Sequence, residues 1–193
     1  SAVVSAGGRL FSILDEGPAA SIQLPADWQL VARDAFNGVL LWKRPIAPWE
    51  SHLRGGQDGP PGLYRRLVAD GDRVYVTLGL DAPVAALDAA TGATLATLAD
   101  TEGTEEILLD GGVLYLALGA ATAEGEPAAA AAGRQGARFP RAEAVHQTVM
   151  AVEAATGRVR WKRTDAQPLR LSLALSGERI FWLAPDAVVC ARR

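Results

Sequence analysis

Cysteine is nearly absent from this sequence: Cys190 stands alone among 193 residues. A single thiol forms no internal disulfide and builds no cysteine-based metal cluster. Histidine is almost as scarce, with only His52 and His146. Neither has a His or Cys nearby, so the spacing of a zinc site is missing. No stretch is strongly basic, and the formal net charge is −3. A nucleic-acid binder needs concentrated basic residues to displace counterions, so that class is excluded. The longest apolar run, Gly111 to Ala123, is too short and too glycine-rich to span a bilayer. Apart from the alanine run Ala128 to Ala132, no segment sustains a 3.6-residue apolar period. The esterase elbow Gly-x-Ser-x-Gly, the metalloprotease motif His-Glu-x-x-His and a phosphate-cradling glycine loop are all missing. The first residues carry no initiator Met, charged segment or cleavage site; a targeting peptide was either removed or never part of this piece.

What the chain does contain is a recurring phrase. "LDAATGATLATL" runs from Leu87 to Leu98, "VEAATGRVRW" from Val152 to Trp161, and a looser copy, "RDAFNGVLLW", from Arg33 to Trp42. Superimposing the three aligns Asp34, Asp88 and Glu153, then Gly38, Gly92 and Gly157, then Trp42, Ala96 and Trp161. Each phrase lies between two β-like runs and reads as a hairpin turn. Its glycine is suited to positive φ, and its acidic residue to accepting turn amide hydrogen bonds. Upstream of each phrase lies a second hairpin with a short Gly-containing turn: Ala2 to Leu14, Arg65 to Gly79 and Glu105 to Gly119, with a fourth at Leu171 to Ala184. The repeating unit is therefore four short strands, a to d. The spacings from Asp34 to Asp88 and from Asp88 to Glu153 exceed the roughly 40–50 residues of a propeller blade, which implies insertions.

The "AALDAATG" stretch (Ala85 to Gly92) and the "WKR" after "EAATG" resemble the repeat of the pyrroloquinoline-quinone (PQQ)-like β-propeller family. The resemblance extends over nearly the whole chain. It implies an all-β propeller of four-stranded antiparallel blades: blade 1 over about 2–46, blade 2 over 65–98, blade 3 over 105–163 with an insertion at 119–147, and blade 4 from 170 to 193 without strand d. It also implies that Trp42 and Trp161 wedge between adjacent blades, with Ala96 leaving a thinner interface. Three readings of the incomplete last blade stand. The chain is part of a longer propeller, eight-bladed in many family members; or it is a small ring closed imperfectly; or copies complete one another as an oligomer.

In a propeller, the b–c and d–a connections emerge on one face, and every long segment here falls at one of those positions. Rigid scaffolds concentrate binding on such loops. The face offers Trp49, Glu50, His52, Arg54 and Tyr64 from one loop, Asp81 after a strand b, and Arg138, Arg141 and His146 from the long insertion. Aromatic and charged side chains together suit a sugar, peptide or quinone surface, and clustered Arg suits carboxylate or phosphate. The same residues equally suit self-anchoring or solvated loops. Asp15, Asp81 and Asp186 follow strand b in three units, as turn stabilisers or as oxygen ligands for a cation. Strand a brings Arg65, Arg66, Glu105, Glu106 and Arg170 toward the channel, with inter-blade ion pairs the expected outcome.

These observations favour a non-catalytic scaffold that binds a protein partner or further domains of the same chain, with no cofactor. Two alternatives remain. One is a quinoprotein dehydrogenase holding PQQ and calcium at the channel mouth. Family enzymes stack the quinone against a disulfide between adjacent cysteines, which a single Cys cannot supply. The other is a carbohydrate-binding propeller. The resemblance favours a periplasmic or extracellular setting in a bacterium.

Overall fold

Alternating apolar residues bounded by glycine turns give short antiparallel strands, and the chain forms fifteen of them among the described residues. The structure is a computed structural model that describes residues 2–17, 26–47, 63–119 and 148–193. The first sheet contains β1 (Ala2–Ala6), β2 (Arg9–Asp15), β3 (Trp28–Asp34) and β4 (Leu40–Pro45), paired in that order. The second repeats the meander with β5 (Leu67–Asp70), β6 (Arg73–Thr77), β7 (Val84–Asp88) and β8 (Thr94–Thr97). The third is built from β9 (Thr104–Asp110), β10 (Val113–Leu118), β11 (Thr148–Glu153) and β12 (Val159–Arg163). The fourth has three strands, β13 (Ala174–Ser176), β14 (Arg179–Leu183) and β15 (Val188–Arg192). A 3-10 turn, Leu63–Arg65, precedes β5. No helix among the described residues is long and apolar enough to cross a membrane.

The sheets stack face to face, and a hydrophobic cluster fills each junction. Phe11, Ile13, Leu30 and Ala32 of the first sheet meet Leu67, Val74, Val76 and Leu87 of the second. Tyr75, Val84 and Ala86 of the second meet Ile107, Leu114, Leu116 and Met150 of the third. Tyr115, Ala117, Val149 and Ala151 of the third meet Leu173, Ile180 and Trp182 of the fourth. Successive side chains of a strand point to opposite faces, so one strand serves two junctions. That is why β10 is buried at every position from Val113 to Leu118. Each fully buried aliphatic or aromatic side chain contributes about 1.5–3 kcal/mol of transfer free energy, so the three junctions hold the fold together. Burial falls toward the periphery: all four residues of β8 are exposed.

The repeated phrase forms the turn between the third and fourth strands of each complete sheet. Asp88 shows why an acidic residue opens it: its Oδ1 accepts from the amides of Ala90 (3.0 Å) and Thr91 (2.8 Å). Asp34 does the same for Phe36 and Asn37. Glu153 carries one methylene more and instead holds the Thr156 hydroxyl and the Arg158 guanidinium. The closing glycine lies at φ 73° in Gly38, 72° in Gly92 and 75° in Gly157, a region costly for any residue with a Cβ. The register slips by one residue beside each turn, at Ala32/Arg33, Ala86/Leu87 and Ala151/Val152, the expected turn-plus-bulge.

Trp42 sits between the first two sheets, with its indole Nε1 donating to the Ala89 carbonyl at 3.0 Å. A Cβ built on Gly92 would lie 2.8 Å from its ring, so that glycine is the floor on which the indole rests. At the next junction Leu98, two residues beyond Ala96, takes this role above Gly157, 3.2 Å from the same virtual atom. Tyr75 adds a hydrogen bond to the Ala154 carbonyl at 3.1 Å. Trp161 packs against the third cluster with its ring 6.3 Å from that of Tyr115.

Candidate functional site

The two ends of the stacked sheets differ. At one end, two residues join strand a to strand b in every sheet: Gly7–Gly8, Gly71–Asp72, Gly111–Gly112 and Gly177–Glu178. The hydrogen-bonded c–d turns share that end. At the other end emerge the connections 16–27, 46–66, 78–83, 98–103, 119–147, 164–173 and 184–187. All the long excursions of the chain therefore leave from one face, and that face is the candidate site.

Its inner rim is charged. Strand a of each sheet starts here, next to the axis about which the sheets fan out. Arg65 pairs with Glu106 of the neighbouring sheet at 3.7 Å, and Arg170 with Glu105 at 3.3 Å. Glu106 is fully buried and also accepts from the Leu173 amide at 3.4 Å. Burial is the largest influence on its carboxyl and raises its pKa, with Leu173 and Arg65 pulling the other way. Arg66 is buried as well and donates to the Leu80 carbonyl at 3.0 Å. Desolvation lowers its pKa, opposed by the nearby charge of Glu105. The channel-side charges thus tie sheets two, three and four together. Of the four side chains in these two pairs only Glu106 is fully buried, and its contacts with Arg65 and Leu173 hold it in position.

Around this rim, Tyr64 lies in the 3-10 turn with 55% of its surface exposed, beside Arg65. Asp81 is exposed in the β6–β7 connection, within electrostatic range of Arg66. Asp15 organises its own connection, accepting from the amides of Gly17 and Asp27. Asp186 lies exposed between β14 and β15. Trp49, Glu50, His52, Arg54, Arg138, Arg141 and His146 lie outside the described residues. The described site therefore consists of Tyr64, Asp81 and the paired charges behind them.

In the described rim Glu105 and Glu106 are engaged by Arg170 and Arg65. Cys190 is exposed on the outer face of the fourth sheet. Among the described residues, no three His, Cys, Asp or Glu side chains are grouped to hold a metal.

The arrangement defines a β-propeller arc of four radially stacked sheets. No family model matches the sequence, and no characterised protein matches it by sequence. Among solved structures, the chain is similar to two computationally designed propellers. It overlays Ika8 with a TM-score of 0.59 at 13% identity, covering 100% of this chain and 45% of that one. It overlays Ika4 with the same TM-score and identity, covering 99% of this chain and 89% of that one. It is also similar to BamB from Moraxella catarrhalis, at 14% identity and a TM-score of 0.49, over 96% of this chain and 55% of that one. The chain thus spans less than half the length of Ika8 and about half that of BamB. At such identities the likeness is one of fold.

Proposed function

We propose that this protein is a non-catalytic interaction scaffold whose long-connection face receives a protein partner. The observation that carries this reading is the difference between the two ends of the arc. One end is closed by two-residue turns and by turns whose acidic residue is internally hydrogen-bonded; at the other end every long connection leaves and returns. Binding surfaces favour loops set on a rigid frame, and three apolar junctions make this frame rigid. Exposed Tyr64 suits the centre of a protein contact, since tyrosine combines large apolar area with a hydroxyl and few rotatable bonds. The inter-sheet ion pairs behind it hold the rim in place without reaching outward.

Site-directed photo-crosslinking tests the assignment. A crosslinking residue in place of Tyr64 or Asp81 is expected to trap a discrete partner, and one in place of Asn37 or Thr91, on the tight-turn face, is not. Adducts formed equally from both faces, or only from the tight turns, would refute the reading.

A further inference from the structure

The chain contains a single asparagine, Asn37, and glycine follows it. The pair stands exposed at the tip of the hairpin between β3 and β4. In the three repeated turns Asn37 aligns with Thr91 and Thr156, each three residues after the acidic residue that opens its turn. All three side chains do one job. The Asn37 Oδ1 accepts from the Val39 amide at 2.9 Å, the Thr91 Oγ1 from the Ala93 amide at 3.3 Å, and the Thr156 Oγ1 from the Arg158 amide at 3.2 Å. Threonine therefore suffices for the turn, and only asparagine brings a side-chain amide that can be lost.

The same hydrogen bond prepares a reaction. It folds the Asn37 side chain back along the main chain, as in an Asx-turn. The ring it closes runs through both the Asn37 Cγ and the backbone nitrogen of Gly38, so a short motion replaces an encounter. Donation from Val39 also draws electrons from the Cγ carbonyl and makes that carbon more electrophilic. A side chain on the following residue would crowd the attacking nitrogen; Gly38 has none, and nothing lies within 4 Å of where its Cβ would stand. The Arg33 guanidinium, which donates to the Gly38 carbonyl at 2.9 Å, sets positive charge beside the nitrogen that must become anionic. The opposing charge is the Asp34 carboxylate, which is engaged by the amides of Phe36 and Asn37. One contact resists: the Gly38 amide donates to the Asp34 carbonyl at 3.0 Å. Reaction therefore proceeds from an opened tip, and opening costs little in an exposed turn.

We propose that Asn37 is a site of spontaneous covalent modification in the folded chain. The Gly38 nitrogen gives its proton to solvent hydroxide and bonds to the Asn37 Cγ. The Cγ–Nδ2 bond breaks, and Nδ2 takes a proton from water and leaves as ammonia. A cyclic imide remains, closed between Cγ and the Asn37 main-chain carbonyl carbon. Water opens it at either carbon: cutting the bond to Cγ gives aspartate, and cutting the bond to the main-chain carbon gives isoaspartate. The net change is amide and water to carboxylate and ammonium, with nothing oxidised or reduced. Isoaspartate carries the main chain through Cβ and Cγ, so it lengthens the hairpin that leads into the strand of Trp42. The turns of Thr91 and Thr156 hold no amide side chain and stay unchanged.

Incubating the 193-residue chain at mildly alkaline pH and following it by mass spectrometry tests this. The mass is expected to rise by one dalton. Trypsin, cutting after Arg33 and Lys43, should place the whole shift in the peptide 34–43 and resolve it into two isomers, one of which accepts a methyl group from isoaspartyl methyltransferase. Asn37→Thr, which keeps the side-chain hydrogen bond of the other two turns, should abolish the shift and leave the circular-dichroism melt unchanged. The isolated 34–43 peptide, incubated alongside, separates the chemistry of the dipeptide from that of the folded turn. Three results would overturn the proposal: an amide that persists in the folded chain after the isolated peptide has lost its own, a shift of equal size in Asn37→Thr, or a shift carried by the glutamine-containing peptides in place of 34–43.

Discussion

Three glycines with one backbone conformation and three different surroundings permit a controlled measurement of what holds adjacent sheets together. Gly38, Gly92 and Gly157 have φ of 73°, 72° and 75°, so alanine at any of them carries the same left-handed penalty, about 1–2 kcal/mol. Their surroundings differ. No atom lies within 4 Å of a Cβ at Gly38; at Gly157 a flexible Leu98 methyl lies 3.2 Å away; at Gly92 two ring carbons of Trp42 lie 2.8 Å away. A rigid indole cannot yield without losing its hydrogen bond to Ala89, so overpacking adds about 1–3 kcal/mol at Gly92 alone. Gly38→Ala is therefore expected to cost about 1–2 kcal/mol and Gly92→Ala about 2–5 kcal/mol, with Gly157→Ala between them. Urea denaturation followed by far-ultraviolet circular dichroism measures each. In a Trp42→Ala background the excess at Gly92 should vanish and its cost fall to that of Gly38, which a double-mutant cycle detects. Equal costs at all three glycines, or an excess that survives removal of the indole, would refute the inter-sheet role assigned to this contact.

Other outcomes follow from the same geometry. Trp42→Phe removes the hydrogen bond to Ala89, whereas the Trp161 Nε1 has no hydrogen-bond partner among the described residues. Trp42→Phe should thus be the more destabilising by about 1 kcal/mol in chemical denaturation. The Thr91 hydroxyl and amide hold the Asp88 carboxyl below the ordinary range. That contribution is present above the unfolded-state pKa and lost as pH falls through the folded-state value. Asp88→Asn should flatten the acid limb of a melting-temperature profile. Glu106 has the opposite sign, because burial raises its pKa. Its contribution is greatest below the unfolded-state pKa and declines as pH rises through the folded one. Glu106→Gln should therefore gain stability relative to the parent chain as pH is raised from acid to neutral. Glu106→Ala should destabilise the chain at neutral pH, since it leaves Arg65 and the Leu173 amide without their carboxylate.

The repeat makes much of this architecture legible in the sequence alone. An acidic residue, a glycine and a flanking pair of alternating strands fix a turn locally, so Asp34, Asp88 and Glu153 could be aligned and the all-β propeller class read from them. Ion pairing across sheets was legible too, because Arg65, Glu106, Glu105 and Arg170 fall at the start of strands facing a common axis. The substitute for the missing indole was not legible. Ala96 occupies the aligned position, and only the packed structure shows Leu98 above Gly157, since filling a gap depends on the reach of a side chain and not on its register. Arg193 was also opaque: it donates to the Tyr115 hydroxyl and the Gly177 carbonyl and pairs with Asp110, contacts set by three segments distant in sequence. For the candidate face, Tyr64 and Asp81 could be assigned to a common end from loop lengths alone. Their surroundings could not, because ion-pair partners come from neighbouring sheets.

The wholly exposed β8 has an implication for how the molecule comes apart. A segment that shields little apolar surface loses little when it lifts away, so amide protons there should exchange with solvent long before those of β10, which is shielded on both sides. Loosening would then advance from the circumference toward the axis within each unit, leaving the three inner segments as the durable remainder. The fourth unit has that three-segment composition, and it keeps Ile180 and Trp182 dry all the same.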